Sequence, residues 1–292
     1  MNIRAIRLPP VTAVLLGIIS VQAGAAIAKG LFPVLGPAGT ASVRIGFSAI
    51  ILVLFVRPNL TRLTSHQWRA IIPYGVVLGL MNYLFYLSLE RIPMGLAVTV
   101  EFIGPLGVAL AGSRRAIDLL WVILAGTGIA LIAPWNGQGV DLPGLLYALL
   151  AGVCWAAYIL LSKPAGRLLP GSLAVAVGMM FAALPVVPFG IIEGNLFSMT
   201  VTLLLLGLAV ALFSSVLPYS LEMQALRSMP ARTFSILMSL EPAVAALLGW
   251  LLLKEHLVLQ QWLAVLCIVA ASIGAAALTG KEGEKKVPLA KK

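Results

Sequence analysis

The sequence predicts an all-α membrane protein with ten transmembrane helices, built as a 5+5 inverted repeat with both termini in the cytoplasm. Three observations predict this: the composition, the distribution of Lys and Arg, and an internal repeat. Of the 292 residues, 61% are hydrophobic and 10% are charged, whereas a soluble domain carries about 25% charged residues. The mean hydropathy is +1.05. Apolar runs of about 20 residues indicate spanning helices, since barrel strands are shorter and alternate in polarity.

Pro, Gly and Asn residues divide the apolar runs into ten predicted helices. These are Val11–Leu31, Ala38–Val56, Ile71–Leu89, Met94–Gly112, Leu119–Trp135, Leu142–Ser162, Ser172–Ile192, Val201–Leu226, Ala231–Leu253 and Val258–Thr279. Most of the connections are a few residues long, so consecutive helices are expected to be antiparallel neighbours.

The basic residues alternate from loop to loop in the pattern that sets membrane orientation. With the N-terminus placed inside, sixteen of the 20 Lys and Arg residues fall in inner segments and three fall in outer ones. Cytoplasmic loops of membrane proteins carry the excess of Lys and Arg. The net charge of +10 is therefore interpreted as a topology signal, and no nucleic-acid partner is expected.

An internal repeat relates two helical hairpins. The segment Met81–Gly112 aligns without a gap on residues 218–249, within Leu217–Gly249, when it is shifted by 137 residues, and Pro93 and Pro105 both fall on prolines. Because each half would hold an odd number of helices, the second hairpin crosses the membrane in the opposite sense to the first. Inverted repeats of this kind are typical of transporters that bind substrate near the bilayer midplane.

The repeat also predicts the domain boundaries. Residues 11–135 form the first five-helix repeat, residues 142–279 form the second, and residues 280–292 form a charged cytoplasmic tail. The tail is expected to be solvated and disordered, because it is a short run of charged residues with little apolar character.

Three segments carry a resemblance to a known family: MNYLFYLSLERIPMGLAVTVEFIGPLGVAL, CWAAYIL and LPYSLEMQALRSMPARTFSILMSLEPA. Together with the five-plus-five arrangement they resemble the drug/metabolite transporter superfamily, specifically its EamA-type ten-helix exporters and the subgroup that exports threonine and homoserine. The resemblance covers residues 11–280. It implies a multi-pass protein of the bacterial inner membrane that exports small amino acids. Exporters of aromatic amino acids in the same superfamily are the alternative.

Four ionisable residues fall inside the predicted helices, away from their ends: Arg44, Glu101, Glu222 and Glu241. A charge at the bilayer centre costs at least about 2.5–3.5 kcal/mol, so each needs a partner or a polar cavity. Lys29 lies near a helix end, where its side chain can reach the interface, and needs no function.

Glu241 is the first candidate for substrate binding and proton coupling. It lies ten residues into the ninth predicted helix, about 15 Å along the axis and so near the midplane. Pro242 follows it, and Ser239 lies close by. The repeat places Gly104 opposite Glu241, so symmetry does not require a carboxylate there, which favours a functional role.

Glu101 and Glu222 are further candidates for proton coupling, each with a structural alternative. Pro105 removes the helical hydrogen bond to the Glu101 carbonyl, which leaves a carboxylate and a free carbonyl oxygen suited to an ammonium group or a proton. The alternative is a structural pair between Glu101 and Arg44. Glu222 shares a helix face with Tyr219, and it also lies near enough to the inner end to pair with an arginine there.

Aromatic, amide and hydroxyl side chains are predicted to complete a substrate pocket with Glu241, Glu101 and Arg44. They are Asn82, Tyr83 and Tyr86 in the third helix, Trp155 and Tyr158 in the sixth, and Tyr219 and Ser239 in the second hairpin. The alternative for each aromatic residue is packing or anchoring at the membrane interface.

These residues favour a secondary exporter of small amino acids that works by proton antiport and alternating access. Arg44 or Asn82 would bind a substrate carboxylate, and a glutamate would bind the ammonium group. Drug-like cations and sugar phosphates are alternative substrates. No phosphate-binding loop or nucleophile–base pair is recognisable, so neither ATP hydrolysis nor an enzyme activity is expected. No metal site, cofactor or obligate protein partner is expected; the expected partners are an amino acid and the lipid bilayer.

Overall fold

A computed structural model describes residues 8–111, 117–132, 141–169, 171–193, 196, 199–218, 221, 225, 229 and 231–285, without the side chains at 109, 118, 132, 171, 231–233, 235 and 275–285. Within these residues all regular structure is helical. The α-helices are α1 (Pro10–Val56), α2 (Ser65–Arg91), α3 (Met94–Glu101), α4 (Ile103–Ala111), α5 (Asp118–Ile132), α6 (Leu142–Leu168), α7 (Gly171–Ile192), α8 (Val201–Ala211), α9 (Ala231–Met238), α10 (Glu241–Leu253) and α11 (Leu259–Lys285). A π-helical segment, Leu212–Val216, continues α8.

Helix α1 folds back on itself at Gly36, which has φ 66° and ψ 170° and lies between Pro33 and Pro37. A straight helix of its 47 residues would be about 70 Å long, more than twice the hydrocarbon thickness of a bilayer. Gly24 and Arg44, on opposite sides of the kink, both contact Ser214. The first arm (10–35) and the second arm (37–56) therefore correspond to the first two predicted helices.

Two helices predicted as continuous are each broken near the middle. The first break is at Phe102, between α3 and α4, and the second is at Ser239 and Leu240, between α9 and α10. Phe102 and Ser239 are 137 residues apart, the repeat spacing, and each is followed three residues later by a proline. Proline removes the hydrogen bond to the preceding turn, which accounts for both breaks.

Some helix ends differ from the predicted ones for local reasons. Helix α2 begins at Ser65 instead of Ile71 because the side chains of Thr64 and Gln67 form a capping box. The prediction of a disordered tail after Gly280 is wrong as far as Lys285, where α11 ends. Glu and Lys are good helix formers, and opposite charges three or four positions apart add support.

The helices pack through small residues. Helix α2 lies along α6 and α7, α8 lies along α1, α3 lies against α10, and α5 lies against α11. A Cβ added at Gly75 or Gly79 of α2 would meet the backbone of Gly178 or Ala182 in α7. Close packing of this kind is typical of small residues spaced four apart in membrane helices.

The outer surface of the described part is apolar, and polar groups are collected inside. Leu54, Phe55 and Ile192 are 66%, 83% and 80% exposed, whereas the interior holds serines, Gln22, Arg44 and two glutamates. Among the described residues, five helices are long and apolar enough to cross a membrane, α1 among them, and four further apolar segments have 10–17 residues. The protein is a multi-pass membrane protein.

Candidate functional site

Four polar residues from four helical segments meet in the interior: Gln22 of the first arm, Arg44 of the second arm, Glu101 at the end of α3 and Glu241 at the start of α10. Their exposed fractions are between 2% and 7%. Glu101 interacts electrostatically with both Glu241 and Arg44, and Gln22 is bonded to Glu241. We call these four residues the polar cluster.

Glu241 is held in place by a helix terminus and an amide. It is the first residue of α10, where the exposed N–H groups of a helix stabilise negative charge. The Gln22 Nε2 atom donates a hydrogen bond to Glu241 Oε1 at 3.0 Å. Ser239, 2% exposed, lies in the break just before it. The break thus produces a helix start, and an anion-stabilising position, inside the bundle.

Glu101 lies at the second break, where the backbone of α6 comes very close. A Cβ at Gly152 of α6 would lie 2.6 Å from the carbonyl oxygen of Glu101, and one at Gly104 would meet the Gly152 carbonyl oxygen. Trp155, one turn along α6, packs its ring edge-on against Phe102 with 5.5 Å between centroids. Trp155 therefore lies at the break that positions Glu101.

Arg44 is fixed by two hydrogen bonds and an aromatic ring. Its Nη2 donates to the Ser214 carbonyl oxygen at 3.0 Å and its Nη1 donates to Tyr86 Oη at 3.4 Å. The guanidinium carbon lies 5.5 Å from the centre of the Tyr86 ring, within the range of a cation–π contact. Among the described residues no ion pair joins Arg44 to Glu101, so a close structural pair between them is not what holds this arginine.

Ser214 belongs to the π-helical segment, and π-helical turns are frequent at functional sites. Its Oγ is buried without a hydrogen-bond partner, and so are Arg44 Nε and Gln22 Oε1. Buried polar atoms of this kind are uncommon in folded proteins. Three of them lie in or beside the polar cluster, which makes it the candidate site for a polar ligand.

The other predicted aromatic and amide residues are divided between this site and other contacts. Asn82 is 7% exposed and donates to the Leu78 carbonyl oxygen of its own helix at 2.8 Å. Tyr83 turns to α7, where it stacks on Phe189 and donates to Glu193 Oε2 at 3.4 Å. Tyr86, on the same helix, contacts the polar cluster through Arg44.

Tyr158 stacks on Tyr74 of α2 with 5.2 Å between ring centroids, in the packing of α2 against α6. Tyr219 and Glu222 lie outside the described residues, so their predicted roles stay predictions.

A second polar connection, missed from the sequence, lies two helical turns along the first arm. Lys29 Nζ forms an ion pair with Glu255 Oε1 at 2.6 Å and donates to the Ile92 carbonyl oxygen at 3.1 Å. Glu255 Oε2 accepts from the Met94 N–H at 2.7 Å. We call this group the Lys29–Glu255 clamp. The expectation that Lys29 simply reaches the interface is wrong, because the clamp ties it to the start of α3 and to the end of α10.

Gln22 was also missed, although the sequence held a signal for it. It is the one glutamine in the first predicted helix, and an amide inside an apolar span needs a partner as a charge does. Hydropathy alone does not say that this partner is Glu241, 219 residues away.

Known proteins resemble this chain over almost its whole length. Residues 142–276 match the EamA-like transporter family. The threonine/homoserine exporter RhtA of Escherichia coli K12 is 45% identical over 280 residues, which cover 95% of this chain and 94% of that protein. The chain belongs to the EamA-like transporter family. The expectation of membership in the drug/metabolite transporter superfamily is thereby confirmed, and membership in a transporter family indicates transport rather than catalysis.

The EamA-like chain has further relatives. The threonine/homoserine exporter RhtA of Salmonella typhimurium LT2 is also 45% identical over 280 residues, covering 95% of this chain and 94% of that one. A transporter of Bacillus subtilis, YwfM, is 27% identical over 247 residues, covering 78% and 79%. A crystal structure superposes with a TM-score of 0.59 at 18% identity, covering 94% of this chain and 99% of that one; this likeness concerns the fold alone.

Proposed function

We propose that this EamA-like protein is a secondary exporter of small amino acids, threonine and homoserine among them, in the bacterial inner membrane. The observation that carries the proposal is the 45% identity to a threonine/homoserine exporter over 95% of the chain. The matched region includes every helical segment that contributes to the polar cluster. A shared substrate class is the simplest consequence of this full-length similarity.

The polar cluster supports an amino acid as the substrate. A zwitterion requires a carboxylate near its ammonium group and a cationic donor near its carboxylate. Glu241 and Glu101 meet the first requirement, and Arg44, with its planar set of N–H donors, meets the second. Tyr86 and the Ser214 carbonyl orient the guanidinium, so that little side-chain entropy is lost when substrate binds.

Proton antiport would use the same carboxyl groups. Glu101 and Glu241 are buried and interact with each other, so two full negative charges there are unfavourable. A proton and a substrate ammonium group would then compete for the site, which couples export to proton entry. Glu222 is the remaining candidate for this coupling.

The packing supports a ten-helix inverted repeat made of residues 11–135 and 142–279, with residues 280–292 as a cytoplasmic tail. With α1 counted as two arms, the described residues hold ten apolar segments. Helix α2 packs on α6 and α7, while α8 and its π-helical extension contact both arms of α1. In two equivalent halves, the third helix of each half would pack against the first two helices of the other half, as these contacts do. The distribution of Lys and Arg supports cytoplasmic termini.

In this orientation the Lys29–Glu255 clamp closes the outer end of the bundle, and alternating access requires it to open. We expect Lys29→Met to expose the space on the inner side of the clamp to the external solution. The measurement is labelling of Ala26→Cys, buried three residues inward of Lys29, by a membrane-impermeant maleimide added outside. The rate should rise several-fold when Lys29 is replaced.

The control for this experiment is Arg91→Met, which breaks the exposed ion pair with Asp141 on the same side without touching α1 or α10. Cys154 and Cys267, the two native cysteines, are replaced by Ser throughout. Equal labelling rates in the Lys29 and Arg91 variants would show that the clamp is not an outer closure.

The proposed substrate is tested by counterflow of labelled threonine into proteoliposomes loaded with unlabelled solutes. Threonine or homoserine inside should drive uptake, and sugar phosphates should not. Drug-like cations are the second candidate, because the described interior holds two glutamates but one arginine. Counterflow driven by such cations or by aromatic amino acids, and not by threonine, would replace the proposed substrate.

A further inference from the structure

The side-chain amide of Gln22 makes one hydrogen bond through its nitrogen, while its oxygen has no partner. Its side chain is 2% exposed, its Nε2 donates to Glu241 Oε1 at 3.0 Å, and its Oε1 is buried with no hydrogen-bond partner. A buried amide oxygen without a partner forfeits the free energy that a hydrogen bond would supply. The free oxygen belongs to the same amide group that bonds Glu241, so it lies beside that carboxylate.

The buried atoms without a hydrogen-bond partner differ in character within the cluster. At Gln22 the atom is an acceptor, an amide oxygen beside the Glu241 carboxylate. At Arg44 and Ser214 they are donors, the Nε–H and a hydroxyl group. An acceptor pair suits a group with several N–H donors and a positive charge, and a donor pair suits a carboxylate.

We propose that Gln22 is a substrate-binding residue whose Oε1 accepts an N–H of the substrate's ammonium group while its Nε2 holds Glu241 to accept a second. This rests on the proposed function and narrows it to solutes with a primary ammonium group. The same oxygen can accept from Glu241 itself when that carboxyl group is protonated. Gln22 thus has a partner in both the substrate-bound and the proton-bound state.

A structural role for Gln22, joining α1 to α10, predicts a different result from the binding role. If Gln22 has only a structural role, its loss lowers the affinity for every substrate by the same factor. If Gln22 accepts an N–H of the substrate, its loss lowers the affinity more for substrates with more N–H groups on the ammonium nitrogen. The two roles are therefore separated by pairing a Gln22 variant with an N-methylated substrate.

The experiment measures inhibition of labelled-threonine counterflow by unlabelled threonine and by N-methylthreonine, with the full chain in proteoliposomes. In the wild type, threonine should bind about tenfold more tightly, as expected for one hydrogen bond to a charged group. In Gln22→Leu, the affinity for threonine should fall about tenfold and the affinity for N-methylthreonine less than threefold, so that the preference for threonine is nearly lost.

Two further variants complete the comparison. Ser20→Ala removes a hydrogen bond from the same arm to the Phe213 carbonyl oxygen, on the face turned to the π-helical segment, and should keep the wild-type preference. Gln22→Asn retains a buried amide one methylene shorter, and should reduce the preference at least threefold even if Gln22→Leu fails to fold.

An unchanged preference for threonine in the Gln22 variants, or an equal loss for both compounds, would overturn the assignment of Gln22. Absence of threonine counterflow in the wild type would instead overturn the proposed substrate. The two failures are distinct because the first is measured in a protein that transports threonine.

Discussion

Replacing Glu241 by Gln is expected to reduce threonine counterflow at least about 100-fold while the protein remains folded. The amide preserves the shape of the side chain but removes the charge that the start of α10 and Gln22 are arranged to stabilise. A charge-assisted hydrogen bond contributes about 1.5–3 kcal/mol, and the variant also loses the exchangeable proton. Substrate binding and proton coupling should therefore be lost together.

The matched control is Glu193→Gln. Glu193 is an exposed glutamate that accepts from Tyr83 outside the polar cluster, so this variant should transport normally. Thermal unfolding in detergent should give similar midpoints for both variants and the wild type. Normal transport by Glu241→Gln would remove Glu241 from the mechanism.

Replacing Gly104 by Ala is expected to destabilise the fold by about 3 kcal/mol or more. The new Cβ would meet the carbonyl oxygen of Gly152, a backbone atom that cannot move aside like the end of a flexible side chain. Overpacking of a close interior contact costs about 1–3 kcal/mol when side chains can yield. The measurement is the shift of the thermal unfolding midpoint and the yield of folded protein.

Gly107→Ala provides the control three residues further along α4. Nothing lies within 4 Å of a Cβ at that position, and Ala is a better helix former than Gly by about 0.5–1 kcal/mol. The variant should be as stable as the wild type or slightly more stable. Equal midpoints for the two alanine variants would contradict the close approach of α4 and α6.

This glycine contact also accounts for an asymmetry that the sequence displayed without a reason. In the repeat, Gly104 is the counterpart of Glu241, so one half has a carboxylate where the other has no side chain. Gly104 packs on the backbone of α6, and a side chain at that position has no space. At this position of the repeat, the glutamate therefore lies in the second half, where the contact with Gly152 does not exclude a side chain.

The sequence predicted the features that depend on local chemistry. Pro33 and Pro37 predicted the break within α1, because prolines act on the turn that precedes them. Pro105 predicted a free carbonyl oxygen at Glu101, although the helix around it was predicted to be continuous. The cost of burying charge predicted that Arg44, Glu101 and Glu241 would lie in the interior. The capping box at Thr64 was missed, although Thr64 and Gln67 have the spacing of this motif.

What the sequence could not predict were the partners across helices. Gln22 meets Glu241 at a separation of 219 residues, and Lys29 meets Glu255 at a separation of 226. In a membrane helix nearly every face is apolar, so the pattern of hydropathy does not say which face meets which neighbour. The same limit explains Tyr83, adjacent to Asn82 in sequence but directed to α7.

The central claim, export of amino acids in exchange for protons through the polar cluster, is tested most directly by proton flux. Proteoliposomes are loaded with threonine and a pH-sensitive dye, and threonine is allowed to leave down its gradient. The account predicts that the interior becomes more acidic as threonine leaves, and that Glu241→Gln abolishes both signals together. Threonine efflux through the wild-type protein with no change of internal pH would contradict it.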